Sequence, residues 1–337
     1  MKKIWPELSL IMHFSSWYMI HVKKIIQQFK RLSPFLDIVF LPLVIIIGVY
    51  FRLIKFLGFK NFRITKRVLL KIGVMPLVNH YYEPFYYHLK FEDTKRSNHH
   101  LKVNLTEQIA FLDKVCRPIE LQDIPLHSSK SEAFFYNNNT FSVGDADLYY
   151  HMIRYTKPTK VIEVGSGFST LIAKKAVDRN NSEGTRTVLS CIEPYEHEWL
   201  NRLGIDVIRE KVENIGLSFF TSLNENDILF IDSSHIIRPG GDVLAEMFEI
   251  LPILKKGVYI HFHDIFFPNH YPDQWINDEL RIWNEQYLLE AFLSYNDSFQ
   301  IVASLNYLTN EKFLETQKFF PKLERNLKPS SFWIKKV

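Results

Sequence analysis

Residues 160–170 read KVIEVGSGFST, and no other stretch of the chain narrows its possible folds as much. Val161, Ile162 and Val164 form a short apolar run around one acid, Glu163. Gly165-Ser166-Gly167 follows, then an amphipathic run over 171–177. The pattern is that of a buried strand, a tight turn and a helix, the opening unit of a doubly wound α/β sheet. Glycines let the backbone approach a ligand closely, and a helix start presents unpaired N–H groups to an anion. A dinucleotide fingerprint, G-x-G-x-x-G, would need a third glycine at position 170, where this chain has Thr170, and its acid would follow the second strand. Here an acid stands two residues ahead of the first glycine. A strand, turn and helix with no ligand is the remaining alternative.

Alternating apolar runs predict six further strands, at 187–192, 206–210, 227–231, 258–262, 299–305 and 331–335. In an open parallel sheet, ligands bind outside the carboxyl ends of the strands. Those ends read Glu163, Glu193, Asp232 and His263-Asp264, so five polar groups converge on one edge. Unpaired buried carboxylates are costly, which makes the convergence informative. Glu193 offers two acceptor oxygens to the ribose hydroxyls of an adenosine ligand, or it caps a helix at Tyr195 beyond Pro194. It lies 30 residues after Glu163, against a usual spacing of about 20, and a polar insertion at 180–184 accounts for the excess. Val212 falls after the third strand, where such folds meet adenine. Thr106 is placed to cap a helix over 106–115, and Asp145 and Asp147 one over 148–156. The aromatic segment 134–141 either closes over the core or covers a ligand, and the loop 265–275 is suited to form a lid.

The first 75 residues differ in kind. They carry thirteen Lys and Arg against Glu7 and Asp37, leaving 28 basic and 35 acidic residues for the rest of the chain. Residues 38–51 contain no charge but are interrupted by Pro42, and 8–22 form a second apolar stretch with Trp17 and Tyr18. Basic charge interleaved with aliphatic runs favours a lipid surface over nucleic acid. The fourteen-residue run is short of the ~20 that a spanning helix needs, so the arm is expected to associate with a membrane without crossing it. Glu7 and the lack of a small-residue cleavage site argue against a signal peptide. Cys116 and Cys191 are far apart and give no disulfide framework, which makes a reducing cytoplasm the default, with the arm at the inner membrane face.

EVGSGFST, CIEP, ILFIDSSH and HFHDIFFP, with SFWIK near the C-terminus, resemble the motifs of bacterial class I S-adenosylmethionine-dependent methyltransferases of the O-methyltransferase-like kind. The resemblance covers roughly 134–337. It implies a Rossmann-like, doubly wound seven-stranded sheet ending in an antiparallel pair. The chain then reads as a basic apolar helical arm (1–75), a helical and aromatic lead-in (76–142) and a methyltransferase domain (143–337). By the same resemblance, Glu163, Gly165, Ser166, Gly167, Glu193, Val212 and Asp232 would bind S-adenosylmethionine. Asp232 and Asp264 match positions that hold a divalent cation such as Mg²⁺ in metal-dependent relatives, but the expected Asn is Ile265. His235 or His263, beside Asp232, could instead take the acceptor's hydroxyl proton without a metal. His261 is expected to be structural, and a zinc hydrolase reading of His261-x-His263 is disfavoured. The expected function is O-methylation of a glycan or lipid-linked acceptor. A catalytically idle membrane-tethered scaffold and a nicotinamide-dependent oxidoreductase are the alternatives.

Overall fold

The structure, a computed structural model, describes residues 16–85, 96–127, 133–195 and 198–337. The chain divides into two compact units, Met1–Tyr86 and Tyr87–Val337. In the first, helix α1 (Ser16–Leu57) runs 42 residues and continues through Pro34 and Pro42. The expected interruption at Pro42 does not occur. A proline removes one backbone donor, and the aliphatic turns on both sides keep their own bonds. Residues 8–15 of the expected second apolar stretch lie outside the described residues. A turn at Gly58 leads to helix α2 (Arg63–Ile72), which Gly73 ends in the left-handed conformation. The Tyr50 and Thr65 hydroxyls lie 2.9 Å apart, and Ile54 and Leu69 are buried.

The second unit is built on one seven-stranded sheet of order β3-β2-β1-β4-β5-β7-β6. Its strands are β1 (Lys160–Val164), β2 (Val188–Ile192), β3 (Asp206–Ile208), β4 (Ile228–Ile231), β5 (Tyr259–Phe262), β6 (Phe299–Ser304) and β7 (Phe332–Lys336). The first five pair in parallel, while β7 runs antiparallel between β5 and β6. A dinucleotide-binding sheet of order 3-2-1-4-5-6 has no such reversed strand, so the nicotinamide alternative loses its topology. All seven expected strands are present; the third is two residues shorter than its apolar pattern.

Side chains alternate across the sheet, and each face is covered. Val161, Phe230 and Trp333 belong to one core with α4 (Asp145–Thr156) and α5 (Phe168–Ser182); Ile162, Val164 and Ile260 belong to the other. Complete burial of one such ring, as at Phe230, stabilises by about 2–3 kcal/mol. Three local expectations change. Helix α3 (Leu105–Val115) is capped by Asn104, whose Oδ1 accepts from the N–H groups of Thr106 and Glu107. Asp145 and Asp147 lie inside the first turn of α4: Asp147 accepts from Gly144 N–H at 2.7 Å, and Asp145 accepts from the N–H groups of Ser330 and Ser331 at 2.9 and 2.7 Å. The polar stretch after 180 is the last turn of α5, held because buried Asn180 donates to Ile153 O and accepts from Arg154.

Candidate active site

The parallel ladder continues one bond past each strand, and this aligns the site. Gly165 N–H donates to Ile192 O, Asp232 N–H to Val164 O, Glu193 N–H to Ile208 O and His263 N–H to Ile231 O, at 2.9–3.0 Å. Gly165, Glu193, Asp232 and His263 therefore stand level along the carboxyl edge. Gly165 has φ 87°, and a Cβ there would meet Asp232 O at 2.2 Å. Only glycine fits where the first turn crosses the end of β4.

A cavity of about 380 Å³ opens over this crossing, lined by Gly165, Glu193, Tyr195, Val212, Asp232 and Arg238 among others. It lies at the point where strand order reverses, between β1 and β4. Glu193 faces it: Oε2 accepts from Ser166 Oγ at 3.0 Å, and Oε1 accepts from Tyr195 N–H at 3.0 Å, so the carboxylate both braces the turn and lines the cavity. Glu163 does not line it. In register with Cys191 and Phe230, it points to the face covered by α4 and is fully buried. Its carboxyl accepts from Tyr149 Oη at 3.0 Å and Cys191 Sγ at 3.1 Å, and bonds Thr170. The Thr170 hydroxyl in turn accepts from Gly167 N–H at 3.1 Å. Glu163 thus supports the glycine turn from behind. Burial raises its pKa to about 7 although all three hydrogen bonds oppose the rise.

Asp232, His235, His263 and Asp264 meet in one cluster. His235 Nε2 lies 3.2 Å from Asp232 Oδ1 and 3.7 Å from Asp264 Oδ2, while its Nδ1 is 2.7 Å from Glu285 Oε2. His263 Nδ1 lies 3.5 Å from Asp232 Oδ1 and 3.6 Å from Asp264 Oδ1, with Nε2 3.7 Å from Asp145 Oδ2. Burial works against charge on both imidazoles. The surrounding carboxylates win, and both pKa values rise well above the usual histidine range. The carboxyls split: burial works against ionisation of both, but the two imidazoles hold Asp232 well below the ordinary range, whereas burial prevails at Asp264 and lifts it. His235 and Asp264 adopt φ 59° and 57°, a region that residues with a side chain rarely occupy.

A second cavity, about 290 Å³, opens on the far side of the cluster. Asn137, Asn139 and Thr140 line it with Asp145, His263, Asp264, Trp275 and Ser330. The segment 134–141 closes over the core, and part of it also lines this opening. Phe134, Tyr136 and Phe141 are buried, while its amides and hydroxyl face the opening. The loop after Asp264 is not a free lid, because Phe266, Phe267 and Tyr271 are buried; of its aromatic residues, Phe266 and Trp275 line the cavity. His261 is structural: fully buried, it stacks on Phe230 at 4.2 Å and bonds Ser331 Oγ at 2.8 Å.

Residues 162–265 match the family model described as a methyltransferase domain. The second unit carries a methyltransferase domain over these residues. An uncharacterised protein of Archaeoglobus fulgidus is 32% identical over 137 residues, which cover 38% of this chain and 60% of that relative. The chain therefore matches somewhat under two thirds of that protein's length. Among solved structures, one described as "cmcI-D160 Mg-SAM" is 16% identical over 56% of this chain and 69% of its own, with a TM-score of 0.30. The plantazolicin methyltransferase BpumL in complex with SAH is 13% identical over 56% of this chain and 80% of its own, with a TM-score of 0.32. These superpositions are partial, and the reversed strand β7 defines the fold independently of them.

Sequence reasoning missed Glu285, at the start of helix α6 (Glu285–Ser294), and Asn284 before it. Both donate their N–H groups to His235 O, at 3.2 and 3.0 Å, and fix that residue's backbone while Glu285 holds its ring. Nothing local in WNEQ shows this, because the partner lies 50 residues upstream. The methyltransferase domain also places Ile265, the residue standing for the expected Asn, in the core at 1% exposure, where it offers no ligand. Asp232, His235 and Asp264 instead bring one ligand atom each to within 4.8 Å of one another.

Proposed function

We propose that the protein transfers a methyl group from S-adenosylmethionine to a hydroxyl of a glycan or lipid-linked acceptor. One observation carries this reading: two cavities meet across the partition Asp232–His263–Asp264, one suited to an adenosine ligand and the other lined by amides, hydroxyls and two aromatic rings. That second lining suits a polyhydroxylated acceptor, since amides pair with hydroxyls and Trp275 offers an apolar face. In the donor cavity, Glu193 would take the ribose hydroxyls, Val212 the adenine, and the Gly165–Gly167 turn would admit the methionine end.

The transfer is an in-line displacement: the acceptor oxygen attacks the methyl carbon, the carbon–sulfur bond breaks and the sulfonium becomes a neutral thioether. Alignment of donor and acceptor across the partition supplies most of the advantage. The hydroxyl proton leaves to His263, the imidazole that lines the acceptor cavity; His235 lines neither cavity and acts through Asp232. The carboxylates that hold His263 protonated would be offset by the donor's positive sulfonium beside Asp232, which frees the imidazole to accept.

The residues also fit a divalent cation. Asp232, His235 and Asp264 form a mixed oxygen and nitrogen set, and Glu285 on Nδ1 leaves His235 Nε2 facing the two carboxylates, the arrangement common behind metal-bound histidine. Such an ion would lower the pKa of a hydroxyl bound to it.

The test is calorimetric titration of the full chain with S-adenosylmethionine and its demethylated product. Micromolar binding that weakens in Glu193→Ala, together with methyl transfer to glycolipid extracts that His263→Gln abolishes without loss of donor binding, is expected. No binding of either compound would leave the scaffold alternative standing.

A further inference from the structure

The N-terminal unit presents a surface that water disfavours. The segment Lys30–Leu57 of α1 is long and apolar enough to cross a membrane, and Ile54 alone of its residues is buried. Ile38, Ile46 and Val49 are 72%, 66% and 65% exposed. Soluble monomers rarely leave contiguous apolar patches beyond a few hundred Å² uncovered. At 1.5 Å per residue, 32–49 measures about 27 Å, close to the ~30 Å hydrocarbon thickness of a bilayer. Lys30 and Arg31 border it at one end, Arg52 and Lys55 at the other, and such side chains reach back to headgroups from helix ends. Asp37 is the one charge within 32–51 and lies in the third nearest Lys30 and Arg31. Pro34 and Pro42 are tolerated in spanning helices.

Helix α2 supplies an independent observation. Ile64, Val68 and Ile72 recur every fourth residue along one stripe, and all three are exposed, at 80%, 53% and 64%. Arg63 and Lys66 lie across the helix from this stripe, and Arg67 and Lys71 run along its edge. The Tyr50–Thr65 hydrogen bond and the burial of Ile54 and Leu69 hold α2 beside the last turns of α1, at the level where the apolar stretch ends. A basic amphipathic helix at that level is at headgroup depth.

We propose that α1 crosses a bilayer and that α2 lies on the anionic leaflet at its C-terminal end. Positive charge sets the orientation. Residues 12–31 contain four Lys and Arg (Lys23, Lys24, Lys30, Arg31), residues 52–71 contain seven, and neither flank has an acid. The richer flank stays in the cytoplasm, where the rest of the chain follows. The uninterrupted helix is what turns the expected surface association into a span. This inference stands on the first unit alone and is separate from the chemistry of the second.

The experiment uses the full chain in bacterial cells. Alkaline carbonate washing should leave the protein in the membrane pellet, and the double variant Ile45→Asp/Ile46→Asp should be lost from it while keeping the melting transition of the second unit. Two single variants, Lys30→Cys and Lys60→Cys, report orientation against native cysteines that are buried. A membrane-impermeant maleimide should label the first in intact spheroplasts and the second only after lysis. Release of the unaltered chain by carbonate, labelling of Lys60→Cys from outside, or protection of both positions would each overturn the proposal.

Discussion

The two units treat water in opposite ways. The sheet unit draws charge inward: Glu163, Glu246 and Glu285 are each at most 1% exposed, and His235, His263 and Asp264 less than 10%. The first unit pushes aliphatic side chains outward along α1 and buries only Ile54 and Leu69 among its described residues. Neither arrangement is stable by itself. Buried charge needs partners, and the sheet edge supplies them as a chain of carboxyl and imidazole groups. Exposed apolar surface needs another solvent, and a lipid phase supplies it. Departures from the ordinary rule of apolar inside and polar outside therefore mark the working parts of both units.

The comparison can be broken most sharply at Gly165. Gly165→Ala drives a methyl group onto Asp232 O and strains a positive φ, so we expect a loss of at least ~3 kcal/mol of stability or a displaced turn. Thermal melting and donor titration read it together; unchanged values in both would mean that the crossing is slack. Glu163 tests whether buried charge is merely tolerated. Burial lifts its folded pKa to about 7, above the ordinary value of 4.5, so its contribution is fully present below pH 4.5 and lost as pH rises through 7. Glu163→Gln should flatten this segment of the stability curve by about 3 kcal/mol in chemical denaturation. A wild-type curve that rises between those pH values would contradict the assignment. Glu193→Ala should weaken donor binding about tenfold with little change in melting, because the carboxylate lines a cavity rather than a core. The smallest effect belongs to the exposed pair Lys102–Asp297, with side chains 89% and 85% accessible. Lys102→Ala should leave the melting temperature where it was, since exposed ion pairs contribute little.

The fold was legible because its signals are local. Apolar runs bounded by turns marked every strand, and Gly165-Ser166-Gly167 marked the first crossing. The level line of Glu193, Asp232 and His263 followed from topology alone. What escaped the sequence was contact between distant segments. Glu163 is two residues from Gly165, yet period-two alternation turns its side chain away from the cavity, and only Tyr149 on α4 shows where it goes. Glu285 escaped for the same reason. Pro42 misled because a proline reads as a breaker, while the turns around it were apolar enough to continue the helix.

The left-handed backbones of His235 and Asp264 have a consequence for how this protein can change. A side chain in that region costs on the order of 1–2 kcal/mol, which glycine would recover. Random mutagenesis selected only for heat resistance should therefore accumulate glycine or asparagine at position 264, where burial already disfavours the carboxylate. It should spare His235, whose loss would strand the buried Glu285 without its partner. The survivors would be sturdier proteins with an intact sheet and a breached partition, a trade already visible in one backbone angle.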